Sequence, residues 1–287
     1  MSNITFIINK INLFIKKFIT KPFKVERLHL SESHIVSEGR YFSCVAEIIK
    51  NKKKFSTFKI NPVYQVVLEH VGKEEGLNYI NFIKQSKFGR LILKNISIFK
   101  INDSVGSPKV FNYNETEKIS PTTLRYVATL VDIHNIFGRK SFYNIVELGA
   151  GYGGQFLCFD KVFKIKKYYF FDYYIVCDLI KKYLKCFKIN TKYKTLTIEK
   201  NFFIASVDFF LSNYAFSELP KILQKKYLLK YIKKSKNGYM VMNSGKKESS
   251  FKENHYSLSE LKEYLPKFKI KKDISNVPGN YIIYWKN

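Results

Sequence analysis

A glycine-rich turn in the middle of the chain is the segment best suited to bind a ligand. The predicted strand 144–148 leads directly into a turn that contains Gly149, Gly151 and Gly154, where a helix is predicted to begin. Glycine lets the backbone turn tightly and approach a ligand closely because it has no Cβ. Asp172 ends the next apolar stretch, where its carboxylate can accept hydrogen bonds from ribose hydroxyls. This spacing predicts a site for a nucleoside-containing cofactor.

The charge beside this turn distinguishes two classes of cofactor. The three glycines also satisfy the GxGxxG pattern of NAD-binding dehydrogenases, which is therefore one alternative. Glu147, two residues before the first glycine, would repel a pyrophosphate and attract a cationic cofactor that lacks one. The turn also comes late in the chain, which leaves few strands for a second mononucleotide-binding half. These features favour S-adenosylmethionine, which carries a sulfonium and an ammonium group.

The elements around the turn predict an α/β fold. Helices are predicted over residues 121–137, from 153, and over 175–187, 220–234 and 258–265. Strands are predicted over residues 144–148, 167–172, 193–198, 208–212, 238–243, 267–274 and 280–286. Such alternation indicates a mostly parallel sheet with helices on both faces and ligands at the carboxyl ends of its strands. The last two strands are expected to form a hairpin, which introduces an antiparallel strand.

Three of these helices carry boundary signals. The Ser-Pro pair at 120–121 is typical of a helix start, because serine caps the free N–H groups and proline fits the first helical position. Ser217 is expected to open the helix over 220–234, and Gly238 is expected to end it. Ser257 and Glu260 have the spacing of a capping box.

The first 115 residues carry weaker signals. They predict a mainly helical N-terminal region that caps the site, binds the acceptor or mediates dimerisation, whereas residues 116–287 form the cofactor-binding domain. The apolar residues of segment 4–19 follow the helical period, and lysines and asparagines interrupt them. This segment fits a helix packed on its own domain or on a second subunit of a homodimer. The alternative is a basic amphipathic helix that lies on an anionic membrane, which would hold a cytoplasmic protein at the inner face of the membrane.

The charged residues and the cysteines indicate which binding partners and which cellular compartment to expect. The chain of 287 residues has a formal net charge of +27, carried by 45 Lys and only 5 Arg. Nucleic-acid binding usually depends on arginine, which contacts bases and phosphates in a bidentate manner, so no nucleic-acid partner is expected. The four cysteines show neither CxxC pairs nor metal-ligand spacing, which is typical of free thiols in a reducing cytoplasm.

Two segments resemble a known family. VELGAGYGGQ (146–155) and DFFLSNYAFSELP (208–220) are similar, in sequence and order, to motifs of the sugar O-methyltransferase family found among polysaccharide-biosynthesis enzymes. The segments at 120–126, 236–243 and 279–285 also resemble that family, so that the resemblance covers roughly residues 110–287. Ala150 stands where the family has glycine, and Tyr-Tyr follows Asp172 where Leu-Pro is usual.

The resemblance implies a Rossmann-like class I methyltransferase fold with the strand order 3-2-1-4-5-7-6 and a sugar hydroxyl as acceptor. Methyltransferases that act on base amino groups usually carry an Asn/Asp-Pro-Pro-aromatic segment after the fourth strand. Here Ser212, Asn213, Tyr214 and Ala215 occupy that place, which favours oxygen as the acceptor atom.

Candidate roles follow from position. The candidate general bases are Glu218, which follows the fourth strand, and His255, which follows the fifth. Each has a plainer alternative: a glutamate also suits the start of a helix, and a histidine in a loop is often simply solvated. Tyr214 and Asn243 are expected to contact the acceptor. The residues expected to bind the cofactor are Arg125, Glu147, Gly149, Gly151, Tyr152, Gly153, Gln155, Asp172 and Asn213. No metal site is predicted.

The sequence therefore predicts an S-adenosylmethionine-dependent O-methyltransferase. Its acceptor is expected to be a nucleotide- or phosphate-linked sugar of a bacterial capsule or surface polysaccharide. The alternatives are a methyltransferase for another small or phosphorylated acceptor, and a non-catalytic protein that binds nucleotides or RNA.

Overall fold

The computed structural model describes residues 39–286 except positions 115, 139, 199, 246–254 and 266. The predicted amphipathic helix over residues 4–19 lies outside the described residues. None of the helices within the described ranges is both long enough and apolar enough to cross a membrane.

A seven-stranded sheet forms the centre of the fold. Its strands are β3 (Ser141–Leu148), β4 (Lys164–Asp172), β5 (Lys192–Thr197), β6 (Val207–Asn213), β7 (Ser235–Met242), β8 (Lys269–Lys272) and β9 (Tyr281–Lys286). They lie in the order β5-β4-β3-β6-β7-β9-β8. β3 to β7 pair in parallel, and β9 runs antiparallel to both β7 and β8. Counted from β3, this order is 3-2-1-4-5-7-6, so the predicted Rossmann-like class I methyltransferase topology and its terminal hairpin are confirmed.

Helices cover the sheet and precede it. A short hairpin, β1 (Phe111–Tyr113) with β2 (Thr116–Ile119), separates the first group of helices from the rest. That first group is α1 (Arg40–Lys50), α2 (Lys52–Ser56), α3 (Pro62–Val67), α4 (Lys73–Lys84) and α5 (Lys87–Lys94), with 3-10 turns at Phe58–Ile60 and Ile96–Asp103. The second group is α6 (Pro121–Phe137), α7 (Gly154–Asp160), α8 (Tyr174–Leu184), α9 (Ala215–Glu218), α10 (Lys221–Tyr227), continued by a π-helical turn at Leu228–Ile232, and α11 (Leu258–Tyr264).

The cap residues confirm two of the three predicted helix boundaries. The Ser120 hydroxyl accepts a hydrogen bond from the Thr123 amide at 3.1 Å and opens α6. Ser257 and Glu260 form the expected capping box of α11. The prediction for Gly238 was wrong, because the helix ends earlier and Gly238 lies inside β7.

The packing of the strands explains the position of Gly238. A Cβ at Gly238 would lie 2.1 Å from Cζ2 of Trp285, so the indole of the neighbouring strand β9 occupies the space of a side chain. Ser217 likewise does not open α10, whose N-cap is Pro220. It lies in α9, where its hydroxyl donates to Asn243.

The two faces of the sheet carry two hydrophobic clusters. One face, which includes Ile145 and Phe170, packs on α6, α7 and α8 and on the helices before residue 103. The other face, which includes Val146 and Phe210, packs on α10 and α11. The described part of the region before the first hairpin is helical from Arg40 to Asp103, and its apolar side chains continue the core of the first face. The domain boundary at residue 115 stays a prediction.

Candidate active site

The glycine-rich turn connects β3 to α7 at the carboxyl edge of the sheet. Gly149, Gly151 and Gly153 have φ angles of 76°, 57° and 89°, in the left-handed region that favours glycine. A Cβ at Gly149 would lie 2.0 Å from the Cβ of Ala215, so the turn lies tightly against the start of α9. A Cβ at Gly151 would lie 2.7 Å from a methyl carbon of Leu68, which shows that the residue after α3 covers the turn from the other side.

The Asp172 carboxylate accepts hydrogen bonds from the backbone of both the glycine turn and the loop after β4. Its Oδ2 accepts a hydrogen bond from the Gly151 amide at 3.0 Å, and its Oδ1 accepts one from the Tyr173 amide at 2.8 Å. A carboxylate oxygen can accept more than one hydrogen bond, so these contacts are compatible with further hydrogen bonds from ribose hydroxyls. Asp172 therefore lies at the predicted place, beside the glycine turn and at the end of its strand.

Glu147 faces a different direction from the one its sequence position suggested. Side chains alternate along a strand, and Glu147 falls on the sheet face that α7 covers. There its Oε2 accepts a hydrogen bond from the Tyr168 hydroxyl at 2.8 Å, and its side chain is 1% exposed. Burial, together with the nearby charge of Asp172, raises the pKa of Glu147 to about 8, although the Tyr168 hydrogen bond opposes the rise.

Tyr152 is an element of the core rather than a surface residue of the turn. Its ring packs edge-on against Tyr183, with centroids 4.8 Å apart, and against Phe58. The Lys59 amine lies 4.4 Å from the centre of the Tyr152 ring and donates a hydrogen bond to the Asn102 carbonyl. This buried lysine links the helical N-terminal region to the glycine turn through a cation–π contact.

Arg125 lies at the centre of a polar group that we call the Arg125 cluster: Glu69, Tyr79, Arg125, Tyr126 and Tyr214. The guanidinium donates to the Leu68 carbonyl at 3.1 Å and lies 5.5 Å from the centre of the Tyr126 ring. Burial opposes its charge, but the neighbouring tyrosines and Glu69 outweigh burial, so that the pKa of Arg125 is raised. A positive charge is therefore maintained close to the carboxyl edge of the sheet.

Asn213 and Gln155 meet between the turn and the end of β6. The Asn213 amide donates to Gln155 Oε1 at 3.4 Å, and Gln155 donates in turn to the Tyr126 carbonyl at 3.0 Å. The Oδ1 atom of Asn213 is buried and has no hydrogen-bond partner among the described residues. A buried acceptor without a donor is costly, and a bound ligand that supplies an N–H or O–H would remove that cost.

Tyr214 adopts a strained conformation at the end of β6. Its φ is 70°, which is unusual for a residue other than glycine. Its hydroxyl donates to Asp273 Oδ2 at 3.1 Å, and its ring lies within the core. Strained residues that the surrounding structure holds in place are often found at functional sites.

The candidate base Glu218 and the predicted acceptor residue Asn243 form, together with Ser217, a second group that we call the Glu218 cluster. The Asn243 amide donates to Glu218 Oε1 at 2.8 Å, and the Ser217 hydroxyl donates to Asn243 Oδ1 at 2.7 Å. His255 has other neighbours, since its Nδ1 lies 3.4 Å from the Gln224 amide nitrogen and its ring bonds the Leu219 backbone. Burial lowers the pKa of His255, so that the ring is neutral near pH 7.

The structure thus brings Arg125, Gln155, Asn213 and Tyr214 together, and it joins Glu218 to Asn243. Three residues of this edge, Glu69, Tyr79 and Asp273, were not found from the sequence. They come from segments without a recognisable motif, and the sequence contains no signal that separates them from other acids and tyrosines. Across the residues that the structure describes, no group of three or more His, Cys, Asp or Glu side chains is arranged to hold a metal ion.

The polar atoms at this edge fit the amino-acid end of S-adenosylmethionine. A guanidinium suits its carboxylate, and the unpartnered Asn213 oxygen suits its ammonium. Asp172 suits the ribose, whereas the Leu68 side chain lies against Gly151 where the ligand would approach the turn. Binding therefore requires the segment around Leu68 to shift.

Comparison with known proteins was made with sequences and with solved structures. No protein-family model matches the chain, and no curated protein matches it. A S-adenosylmethionine-dependent methyltransferase from Clostridium acetobutylicum is 10% identical, with a TM-score of 0.45, over 57% of this chain and 92% of that chain. A SAM-dependent methyltransferase from Aquifex aeolicus is 16% identical, with a TM-score of 0.38, over 53% of this chain and 86% of that chain.

A third solved structure, TrmK from M. capricolum, contains the cofactor product S-adenosyl-homocysteine. It is 14% identical to this chain, with a TM-score of 0.38, over 54% of this chain and 66% of that chain. The strand order of the seven-stranded sheet is that of the class I methyltransferases.

Proposed function

We propose that the protein is an S-adenosylmethionine-dependent methyltransferase that acts on a hydroxyl of a nucleotide- or phosphate-linked sugar, in the synthesis of a bacterial surface polysaccharide. The observation that carries the proposal is the meeting of a glycine turn, a partly buried arginine and an unpartnered amide oxygen at the carboxyl edge of a sheet with this strand order. Ligands of open α/β sheets bind at this edge.

The donor is held by residues of three elements. Arg125 of α6 binds its carboxylate, Asn213 of β6 accepts from its ammonium, and Asp172 of β4 accepts from its ribose. When bound, S-adenosylmethionine supplies a methyl group on a positively charged sulfur. The protein aligns this group with the acceptor oxygen, and alignment of two reactants can lower a barrier by about 7–11 kcal/mol.

The Glu218 cluster supplies the proton acceptor. Asn243 donates to Glu218 Oε1 and thereby fixes the orientation of the carboxylate that takes the proton from the acceptor hydroxyl. His255 is the second candidate, because a neutral imidazole can accept a proton near pH 7. Tyr214 and Asn243 contact the acceptor, and the many lysines favour an acceptor that carries phosphate.

An oxygen rather than a nitrogen acceptor is supported by the segment after β6. Ser212 uses its hydroxyl within the fold, donating to the Leu148 carbonyl at 3.1 Å, and the chain then turns sharply at Tyr214. No proline pair follows, unlike in methyltransferases that act on base amino groups. The resemblance of this segment to sugar O-methyltransferases supports a sugar as the acceptor.

A methyl-transfer assay against sugar nucleotides and sugar phosphates, followed by mass spectrometry, tests the proposal. We expect a mass increase of one methylene on one class of acceptor. Glu218→Gln should lower kcat by about 10²–10⁴-fold and leave the affinity for S-adenosylhomocysteine unchanged. Glu117→Gln, at an exposed glutamate paired with Lys100, is the matched control and should behave as the wild type.

Two results would contradict the proposal in different ways. Absence of S-adenosylhomocysteine binding in calorimetry would remove the methyltransferase function altogether. Methylation of a small non-sugar acceptor would retain the reaction and replace the substrate.

A further inference from the structure

Glu69 is a partly exposed acid with one buried carboxyl oxygen, and the site described above gives it no role. It follows α3 in the helical N-terminal region, and its Oε1 atom is buried with no hydrogen-bond partner among the described residues. Burial raises the pKa of Glu69, whereas the charges of Lys59 and Arg125 and hydrogen bonds between its carboxyl and the Thr122 and Tyr152 hydroxyls oppose this rise. These neighbours place its carboxyl beside the glycine turn and α6.

The charged groups of Lys59 and Arg125 lie near Glu69, but the hydrogen bonds that the structure shows for them go to backbone carbonyls. Arg125 donates to the Leu68 carbonyl, and the Lys59 amine donates to the Asn102 carbonyl over the Tyr152 ring. Leaving a carboxylate oxygen buried without a donor costs free energy, because the atom has lost its hydration. The arrangement is therefore that of a site which a hydrogen-bond donor would complete.

The unpartnered oxygen lies next to residues that already belong to the proposed donor site. Arg125 is its neighbour on α6, and Tyr152 is its neighbour in the glycine turn. The adjacent Leu68 contacts Gly151. An α-amino acid group carries one negative and one positive end, and Arg125 and Glu69 present a cation and a hydrogen-bond acceptor side by side.

We propose that Glu69 completes the donor site by accepting a hydrogen bond from the α-ammonium group of the donor, while Arg125 binds its α-carboxylate. This inference rests on the proposed function, since it takes S-adenosylmethionine as the donor. It makes the helical N-terminal region a part of the donor site. The protein then recognises the donor by its amino-acid end, and Glu69 is a residue that determines this specificity.

Two ligands separate this role from a general contribution to the fold. S-adenosylhomocysteine carries the amino-acid group, whereas 5′-methylthioadenosine lacks it and retains the adenosine. In calorimetry, Glu69→Gln should weaken S-adenosylhomocysteine binding by about 10- to 100-fold, the range for a charge-assisted hydrogen bond, and leave 5′-methylthioadenosine binding unchanged. Glu74→Gln, at an exposed acid on α4, is the matched control and should change neither affinity.

The outcomes are distinct. Equal weakening of both ligands by Glu69→Gln, or no weakening of either, would overturn the role of Glu69 and leave the proposed function intact. Wild-type protein that binds neither ligand would instead overturn the proposed donor. If Glu69→Gln does not fold, as judged by circular dichroism, Glu69→Asp keeps the charge, and it must still weaken S-adenosylhomocysteine selectively for the inference to hold.

Discussion

The buried acid Glu147 predicts an unusual dependence of stability on pH. Its pKa is about 8 in the folded protein and 4.5 in an exposed glutamate, so between these values the folded chain holds a proton that the unfolded chain has lost. The stabilisation is complete below pH 4.5 and is lost as the pH rises through 8. Replacement by glutamine, which has the shape of the protonated acid, should remove this dependence.

The magnitude follows from the size of the shift. Each pH unit in this window should lower the free energy of unfolding of the wild type by about 1.4 kcal/mol relative to Glu147→Gln. Across the whole window the difference should approach about 5 kcal/mol, so that Glu147→Gln is the more stable protein in mildly alkaline solution.

Urea unfolding at half-unit steps between pH 5 and 9 measures this difference directly. Tyr168→Phe is the companion variant, because loss of the hydroxyl that favours the ionised form should move the decline to higher pH. Stability curves that run parallel for the wild type and Glu147→Gln would refute the reasoning. Since Glu147 is mostly uncharged at pH 7, Glu147→Gln should also leave S-adenosylhomocysteine affinity unchanged there.

Two further predictions concern the turn and its preceding helix. Gly149→Ala should lower the free energy of unfolding in urea by several kcal/mol more than Gly138→Ala does. Both glycines have positive φ angles, but only a Cβ at Gly149 would meet another atom, the Cβ of Ala215 at 2.0 Å. Equal losses of stability would contradict the packing described. Ser120→Ala should lower the stability measured by thermal unfolding by about 1–2 kcal/mol, which is more than Ser257→Ala should. The Ser120 hydroxyl caps a buried helix and also donates to Asp103 at 2.6 Å, whereas Ser257 caps an exposed helix. A larger loss of stability for Ser257→Ala would contradict this ranking.

The strand order could be predicted because the second half of the chain is locally consistent. Ser120, the glycine turn and the capping box at Ser257 are independent signals, and each agrees with the alternation of strands and helices. The prediction that Gly238 ends a helix failed because a glycine can also lie in a strand where a neighbouring indole leaves no room for a side chain. Only the position of Trp285 distinguishes the two cases.

The site was harder to predict because strand alternation and distant contacts decide it. Glu147 directly precedes the turn region in sequence, yet the alternation of side chains directs it under α7. Glu69 and Asp273 reach the edge of the sheet from segments without a ligand-binding motif, and their partners Arg125 and Tyr214 lie 56 and 59 positions away. Position in the sequence identified the turn, and only the fold could identify what surrounds it.

The contact between Leu68 and Gly151 has a consequence for how the chain could be divided or recombined. The glycine turn does not present a finished surface by itself, because a residue from the preceding helices completes its packing. A chimera that joins the sheet of this protein to a foreign leading segment should therefore lose the shape of the turn together with the helices. Exchange of the leading helices would be a way to retune the ligand preference, provided that the exchanged segment supplies both an apolar residue over Gly151 and an acid beside Arg125.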